Sequence, residues 1–143
     1  MKRSLDFNYD PETHTTTCFR RVKDTIFIGK AKCHPSDYDF ESKLVGEHYA
    51  YMRSVIKELQ LNKEEYKQQL KILKHVYTLF EQNSEVDLTS KECYYVKRQI
   101  ENVKEQIDFC KNMIQTIKDG LKDTMKKKDD LYAKLRAKRM GND

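Results

Sequence analysis

An apolar ladder climbs from Val96 to Leu121 at alternating spacings of four and three residues. Its rungs are Val96, Ile100, Val103, Ile107, Cys110, Ile114, Ile117 and Leu121. The register continues through Thr124 and Lys128 to Leu131 and Leu135. A mean spacing of 3.5 residues keeps one stripe of a helix turned toward a partner helix. At about 1.5 Å per residue the stretch from Val96 to Leu135 would reach roughly 60 Å, so the pattern predicts a long rod. A second stripe precedes it. Val45, Met52, Leu59, Tyr66, Leu73 and Phe80 fall seven apart, Ile56, Leu70 and Tyr77 interleave, and Lys63 is the one polar gap.

Residues 83–88 read as the connector between the two helices. Thr89-x-x-Glu92 has the spacing of a capping box, and Leu88 with Cys93 that of a hydrophobic staple. A short connector makes antiparallel neighbours, and a fold about residue 85 would set Leu73 near Val96, Leu59 near Cys110 and Met52 near Ile117. Gly120, inside the ladder, is a candidate kink. Isoleucine and valine at both seam positions favour more than two strands, which points to a homo-oligomer, with a dimer forming a helical bundle as the simplest case.

The N-terminal third has a different character. Thr15-Thr16-Thr17-Cys18-Phe19 and Thr25-Ile26-Phe27-Ile28 are β-branched and aromatic, and Val22-Lys23-Asp24 suits a turn between them. A hairpin turning at Lys23-Asp24 would set His14 against Cys33 and Cys18 against Gly29. Residues 1–12 read as irregular, although Leu5, Phe7 and Tyr9 alternate as an edge strand would. A lone hairpin is marginal in water, so it must dock on the helices, gain a third strand or pair with another subunit. Pro35 then ends the strand, and Ser36 or Asp37 can cap a helix. The expected architecture is mainly α. It is a long antiparallel, coiled-coil-like helical hairpin over residues 37–143 with a basic C-terminal end, and a small N-terminal β-hairpin region over residues 1–36. Together they form one structural domain.

Charged residues at 36% match the apolar 38%, and because the apolar ones are periodic the chain reads as long-helix rather than disordered. The net charge of +5 is too modest to demand a polyanionic partner. No apolar leader and no membrane-length apolar run is present in the sequence, and Cys93 and Cys110 would lie about 25 Å apart on one helix. A reduced, cytoplasmic protein is the expectation.

Chemistry-bearing patterns are sparse. His14, Cys18, Cys33 and His34 have no paired-cysteine spacing, and adjacent Cys33 and His34 would point to opposite faces, so packed cysteines are expected rather than zinc. No phosphate loop, nucleophile elbow or paired-acid motif occurs, and neither an enzyme nor a cofactor is expected. The basic segment Lys126-Lys127-Lys128, Lys134, Arg136, Lys138 and Arg139 could meet nucleic-acid phosphates, but cations at a helix C-terminus are also favoured by the helix dipole.

The densest cluster is the strand-to-helix junction, Gly29-x-Ala31-x-Cys33-His34-Pro35-x-Asp37-x-x-Phe40, followed by Gly46, Ala50 and Arg53. Gly46 and Ala50, four apart, offer a flat strip to another backbone. Phe40, Leu44 and Tyr51 could pack under the hairpin. Arg53 could pair with a buried Asp37, or a pocket formed by Arg20, Lys30, His34, Asp37 and Arg53 could take a nucleotide phosphate.

This junction resembles one found in small proteins of bacteriophages and prophages, many of which continue into a long Lys-rich helical region. The match covers about residues 13–60 as a motif and the remainder as architecture. It implies a viral protein made in a bacterial host cell, and in outline it is similar to the Thoeris anti-defence sponge proteins, whose ligand residues have no one-for-one counterpart here. What the resemblance implies is a non-catalytic accessory protein that antagonises a bacterial process, most readily a defence system. It would do so by blocking a host protein or complex. The alternatives are a sponge for a nucleotide signal and a nucleic-acid-associated protein using Lys126, Lys127, Lys134, Arg136 and Arg139.

Overall fold

The computed structural model describes residues 4–141. Three antiparallel strands open the chain: β1 (Ser4–Asp10), β2 (Thr15–Val22) and β3 (Thr25–Lys32), in that spatial order. The β2–β3 turn falls at Lys23-Asp24, with Lys23 at φ 56°, and Cys18 stands opposite Gly29 as the pattern required. His14 accepts a backbone hydrogen bond from Cys33 at 2.9 Å. The region read as irregular holds a full strand, because Leu5, Phe7 and Tyr9 extend the face already formed by Arg20, Cys18 and Thr16.

Pro35–Phe40 then forms a 3-10 turn, where a direct entry into an α-helix was expected. Its first amide is capped by His34, whose Nδ1 accepts from the Ser36 N–H at 3.2 Å. The helix proper, α1 (Lys43–Gln82), starts after Ser42, whose hydroxyl accepts from Val45 N–H at 3.4 Å. Neither Ser36 nor Asp37 caps it. The second helix, α2, runs from Lys91 to Gly141 without a break at Gly120. Its cap is Ser90, whose hydroxyl accepts from Cys93 N–H at 3.3 Å, while Thr89 is held to Asp87 in an Asx turn. The expected Thr89 capping box is therefore displaced by one residue. Among the described residues no helix is long and apolar enough to cross a membrane.

Two compact units divide the chain: Met1–Glu58 with Gln115–Asp143, and Leu59–Ile114. In the second, the end of α1 and the start of α2 form the antiparallel hairpin. The ladder residues Val96, Val103, Ile107, Cys110 and Ile114 are buried there, and Leu59, Tyr66, Leu70, Leu73, Tyr77 and Phe80 are half-buried opposite. Lys97 Nζ lies 5.4 Å from the Tyr77 ring centroid, which puts the fold near residue 87, more than a helical turn from the expected pairing. The rungs from Val96 to Leu121 are covered within one chain, whereas Leu131 and Leu135, the expected end of the register, are exposed.

In the first unit α1 lies on the sheet by its smallest side chains. Gly46, Ala50 and Ser54 recur every four residues and meet Thr16, Cys18 and Gly29. The strip read at Gly46 and Ala50 is thus the contact line, with Ser54 as its third rung. Leu44, expected under the hairpin, is exposed, and Tyr51 is at the rim. Gly120 sits in open helix with nothing within 4 Å of an added Cβ. Gly120→Ala is therefore expected to stabilise the fold by about 1 kcal/mol, a rise of about 3 °C in Tm by differential scanning calorimetry.

Candidate functional site

A cavity of about 500 Å³ opens within the first unit, between the inner face of the sheet, the 3-10 turn, the start of α1 and the C-terminal part of α2. Its size is in the range of small-molecule sites. Tyr9, His14, Thr16 and Ala31 supply the sheet wall, Cys33, Asp37 and Glu41 the junction, Gly46 and Tyr49 the α1 wall, and Lys128 and Tyr132 the α2 wall. The cavity stays open where α2 stands off on aromatic rings, whereas the space beside Gly46 is taken by Thr16. Phe40 and Tyr132 stack at 4.9 Å, and Lys128 Nζ lies 5.7 Å and 5.6 Å from the Tyr49 and Tyr132 ring centroids.

Tyr49 is the wall residue with an unsatisfied polar atom. It is 5% exposed, and its hydroxyl has no hydrogen-bond partner among the described residues. A buried hydroxyl left unpaired costs roughly 1–3 kcal/mol, so such groups are rarely retained without a partner. Burial, followed by Asp129 and Tyr132, pushes its pKa up, so it stays a neutral phenol. Burial also raises the Cys33 thiol and the Tyr132 phenol. Tyr132 already donates to the Phe40 carbonyl at 3.1 Å.

The two carboxylates of the cavity are satisfied by the protein itself. Asp37 is buried, taking Arg136 at 3.1 Å on Oδ1 and Lys128 at 3.8 Å on Oδ2. Arg136 also donates to the Ser36 carbonyl at 2.9 Å, so this clasp ties the 3-10 turn to the end of α2. Glu41 lies 2.6 Å from His14 Nδ1, and the His14 ring stacks on Tyr38 at 3.6 Å. The hydrogen bond to Glu41, with burial behind it, pushes the Tyr9 phenol up to about 12. Lys32 and Lys43 have no carboxylate within 4 Å among the described residues. Among the lining side chains, the Tyr49 phenol, whose oxygen is closed to solvent, and the exposed Lys43 are thus without a partner among the described residues, while Lys32, next to the inward Ala31, points to the outer face of the sheet.

Glu41 gives a pH expectation. Burial raises its pKa, but the hydrogen bonds from His14 and Tyr9 and the His14 charge outweigh that and leave it lowered. A depressed carboxyl contributes stability at neutral pH that is lost as pH falls through its folded pKa. Unfolding free energy should therefore drop below the ordinary glutamate range more steeply in the native protein than in Glu41→Gln, measured by denaturation at stepped pH.

The ligand set expected from the sequence does not assemble. Arg20 is buried under α1, donating to Ser54 Oγ at 3.1 Å and pairing with Glu58 at 2.6 Å, between the rings of Phe27 and Tyr51. Arg53 donates to the Lys30 carbonyl at 2.6 Å, while the Lys30 side chain is exposed. His34 caps the 3-10 turn at the surface. Only Asp37 of the five lines the cavity, and the arginine that pairs with this buried carboxylate is the half-exposed Arg136, not Arg53. The basic segment is divided as well. Arg136 is in the clasp and Arg139 lies 4.7 Å over Phe40, whereas Lys126, Lys127 and Lys134 are exposed. Among the described residues no three His, Cys, Asp or Glu side chains gather as a metal site needs. Tyr49, Lys128 and Tyr132 were missed as site residues; Tyr49 and Lys128 fall in the a/d register, which also reads as plain packing, and Tyr132 lies one residue outside it, buried where Leu131 was expected. No family model, curated protein or solved structure matches the chain.

Proposed function

We propose that this is a non-catalytic binding protein that holds a small, acceptor-rich anion in the cavity under Tyr49. The unpartnered, buried Tyr49 hydroxyl carries the reading, because an acceptor that reached it, after a shift of the groups that cover it, would satisfy it. Lys43 and Lys128 bring positive charge to the lining, and the carboxylates there are paired, Glu41 with His14 and Asp37 with Arg136. The phenols and the thiol stay protonated, so no activated nucleophile stands beside a general base, which fits holding rather than reacting. Beside the resemblance of the junction to phage proteins, the role that fits is sequestration of a host small molecule. A nucleotide signal has the required acceptors and negative charge. Blockade of a host protein is the second reading, and its support is the exposed aromatic set Tyr94, Tyr95 and Phe109 on α2.

The test is a mass spectrum of what heat releases from the protein after incubation with bacterial extract and gel filtration. The expected result is one small anionic species near one per chain, absent when Tyr49→Phe is treated alike. Empty release from native protein, with a stoichiometric protein band retained instead, would favour the second reading.

A further inference from the structure

The two edges of the sheet are treated differently. On β3, Arg53 donates to the Lys30 carbonyl at 2.6 Å and occupies an acceptor of that strand. Nothing comparable touches β1 among the described residues. Its inward row, Leu5, Phe7 and Tyr9, is 48%, 37% and 43% exposed, although the rows it continues on β2 and β3 are buried at Thr16, Cys18, Phe27 and Ala31. No proline or lysine lies within Ser4–Asp10 to discourage strand addition. The strand's charges are Asp6 and Asp10, on the face opposite Leu5, Phe7 and Tyr9, so they restrict which strand can add without closing the edge.

We infer that β1 pairs antiparallel with β1 of a second copy of this chain, across a two-fold axis at Phe7, to make one continuous six-stranded sheet. This goes beyond the cavity reading and does not depend on it. Register selects itself on two grounds. With Phe7 opposite Phe7, all seven residues of the strand are paired, and the inward faces of both copies continue each other. Leu5 then stands opposite Tyr9, Asp6 opposite Asn8 and Ser4 opposite Asp10, so no like charges face each other. Sliding by one pleat either way shortens the ladder and opposes Asp6 to Asp6, or Asp6 to Asp10, which is destabilising. The pairing is isologous, so it consumes both bare edges and closes, while Arg53 obstructs the remaining edges against a growing fibre. Tyr9 lines the cavity, so Leu5 of the second copy would stand at its rim.

Sedimentation equilibrium tests this with three proteins. The native chain should run at twice its own mass. Phe7→Lys and Phe7→Asp, each placing like charges on the axis, should each run at the chain mass with helical circular dichroism unchanged. Mixing the two should restore the double mass, because residue 7 of one copy then meets the opposite charge at residue 7 of the other. Amide hydrogen exchange at Leu5–Tyr9 should be slow in the native protein and at least tenfold faster in either variant alone. A native chain that stays at its own mass at every soluble concentration overturns the inference. So does a double-mass species that survives Phe7→Lys, or a mixture that fails to reassociate.

Discussion

Gly29→Val is expected to destabilise the protein by at least about 3 kcal/mol, the upper end of overpacking costs, read from denaturant unfolding. A Cβ at Gly29 would lie 1.9 Å from the Ala50 carbonyl oxygen and 2.6 Å from the Ser54 amide nitrogen. Both are backbone atoms of α1, and no side-chain rotation relieves either contact. The helix would have to lift off the sheet, which would loosen Cys18 and Ala50 and separate Arg20 from Ser54 and Glu58. Gly46→Ala makes the internal contrast. Its added Cβ meets Thr16 Oγ1 at 2.7 Å, a side-chain atom on one rotatable bond, so its cost should be clearly smaller. Equal losses for the two variants would mean that α1 does not rest on Gly29.

Asp37→Ala should have the next largest effect, and a local one. The Asp37 carboxylate is buried and holds Arg136 and Lys128 from α2, residues about a hundred positions away in the chain. Breaking a fully buried pair costs roughly 3–5 kcal/mol, but the Arg136 side chain is 41% exposed and can take water in place of Asp37. The expected loss is therefore about 2 kcal/mol. It should appear in amide exchange as faster opening of the α2 segment around Tyr132 and Arg136, with residues 93–107 unchanged. A uniform loss across both units would instead show Asp37 acting on global stability rather than on the clasp.

Local periodicity made the helices legible. The ladder from Val96 to Leu121 and the seven-residue stripe from Val45 to Phe80 are patterns within one element, and burial follows them rung by rung. The β2–β3 register was legible for the same reason, since a two-residue turn fixes which residues face each other. β1 was half legible. Its alternation was visible, but with Asp6, Asn8 and Asp10 between the apolar residues a short strand and a polar arm look alike.

The site was much less legible. Arg20 and Arg136 are long cations in charged surroundings, and such residues are rarely buried. What buries Arg20 is a serine and a glutamate on α1, more than thirty residues on, and what engages Arg136 is an aspartate at the other end of the chain. Pairings of that separation leave no mark in the local sequence. Tyr49 and Tyr132 look like ordinary packing residues, and only the three-dimensional count of hydrogen-bond partners sets Tyr49 apart.

Whether the space under Tyr49 awaits a ligand can be asked without knowing that ligand. The measurement is the unfolding free energy of ligand-free protein, native against Tyr49→Phe, by urea denaturation at neutral pH. An unpaired buried hydroxyl is a cost that phenylalanine removes, so the variant should be more stable, by about 1 kcal/mol. A variant less stable than the native protein would mean that the hydroxyl is already satisfied, and the binding account would fall with it.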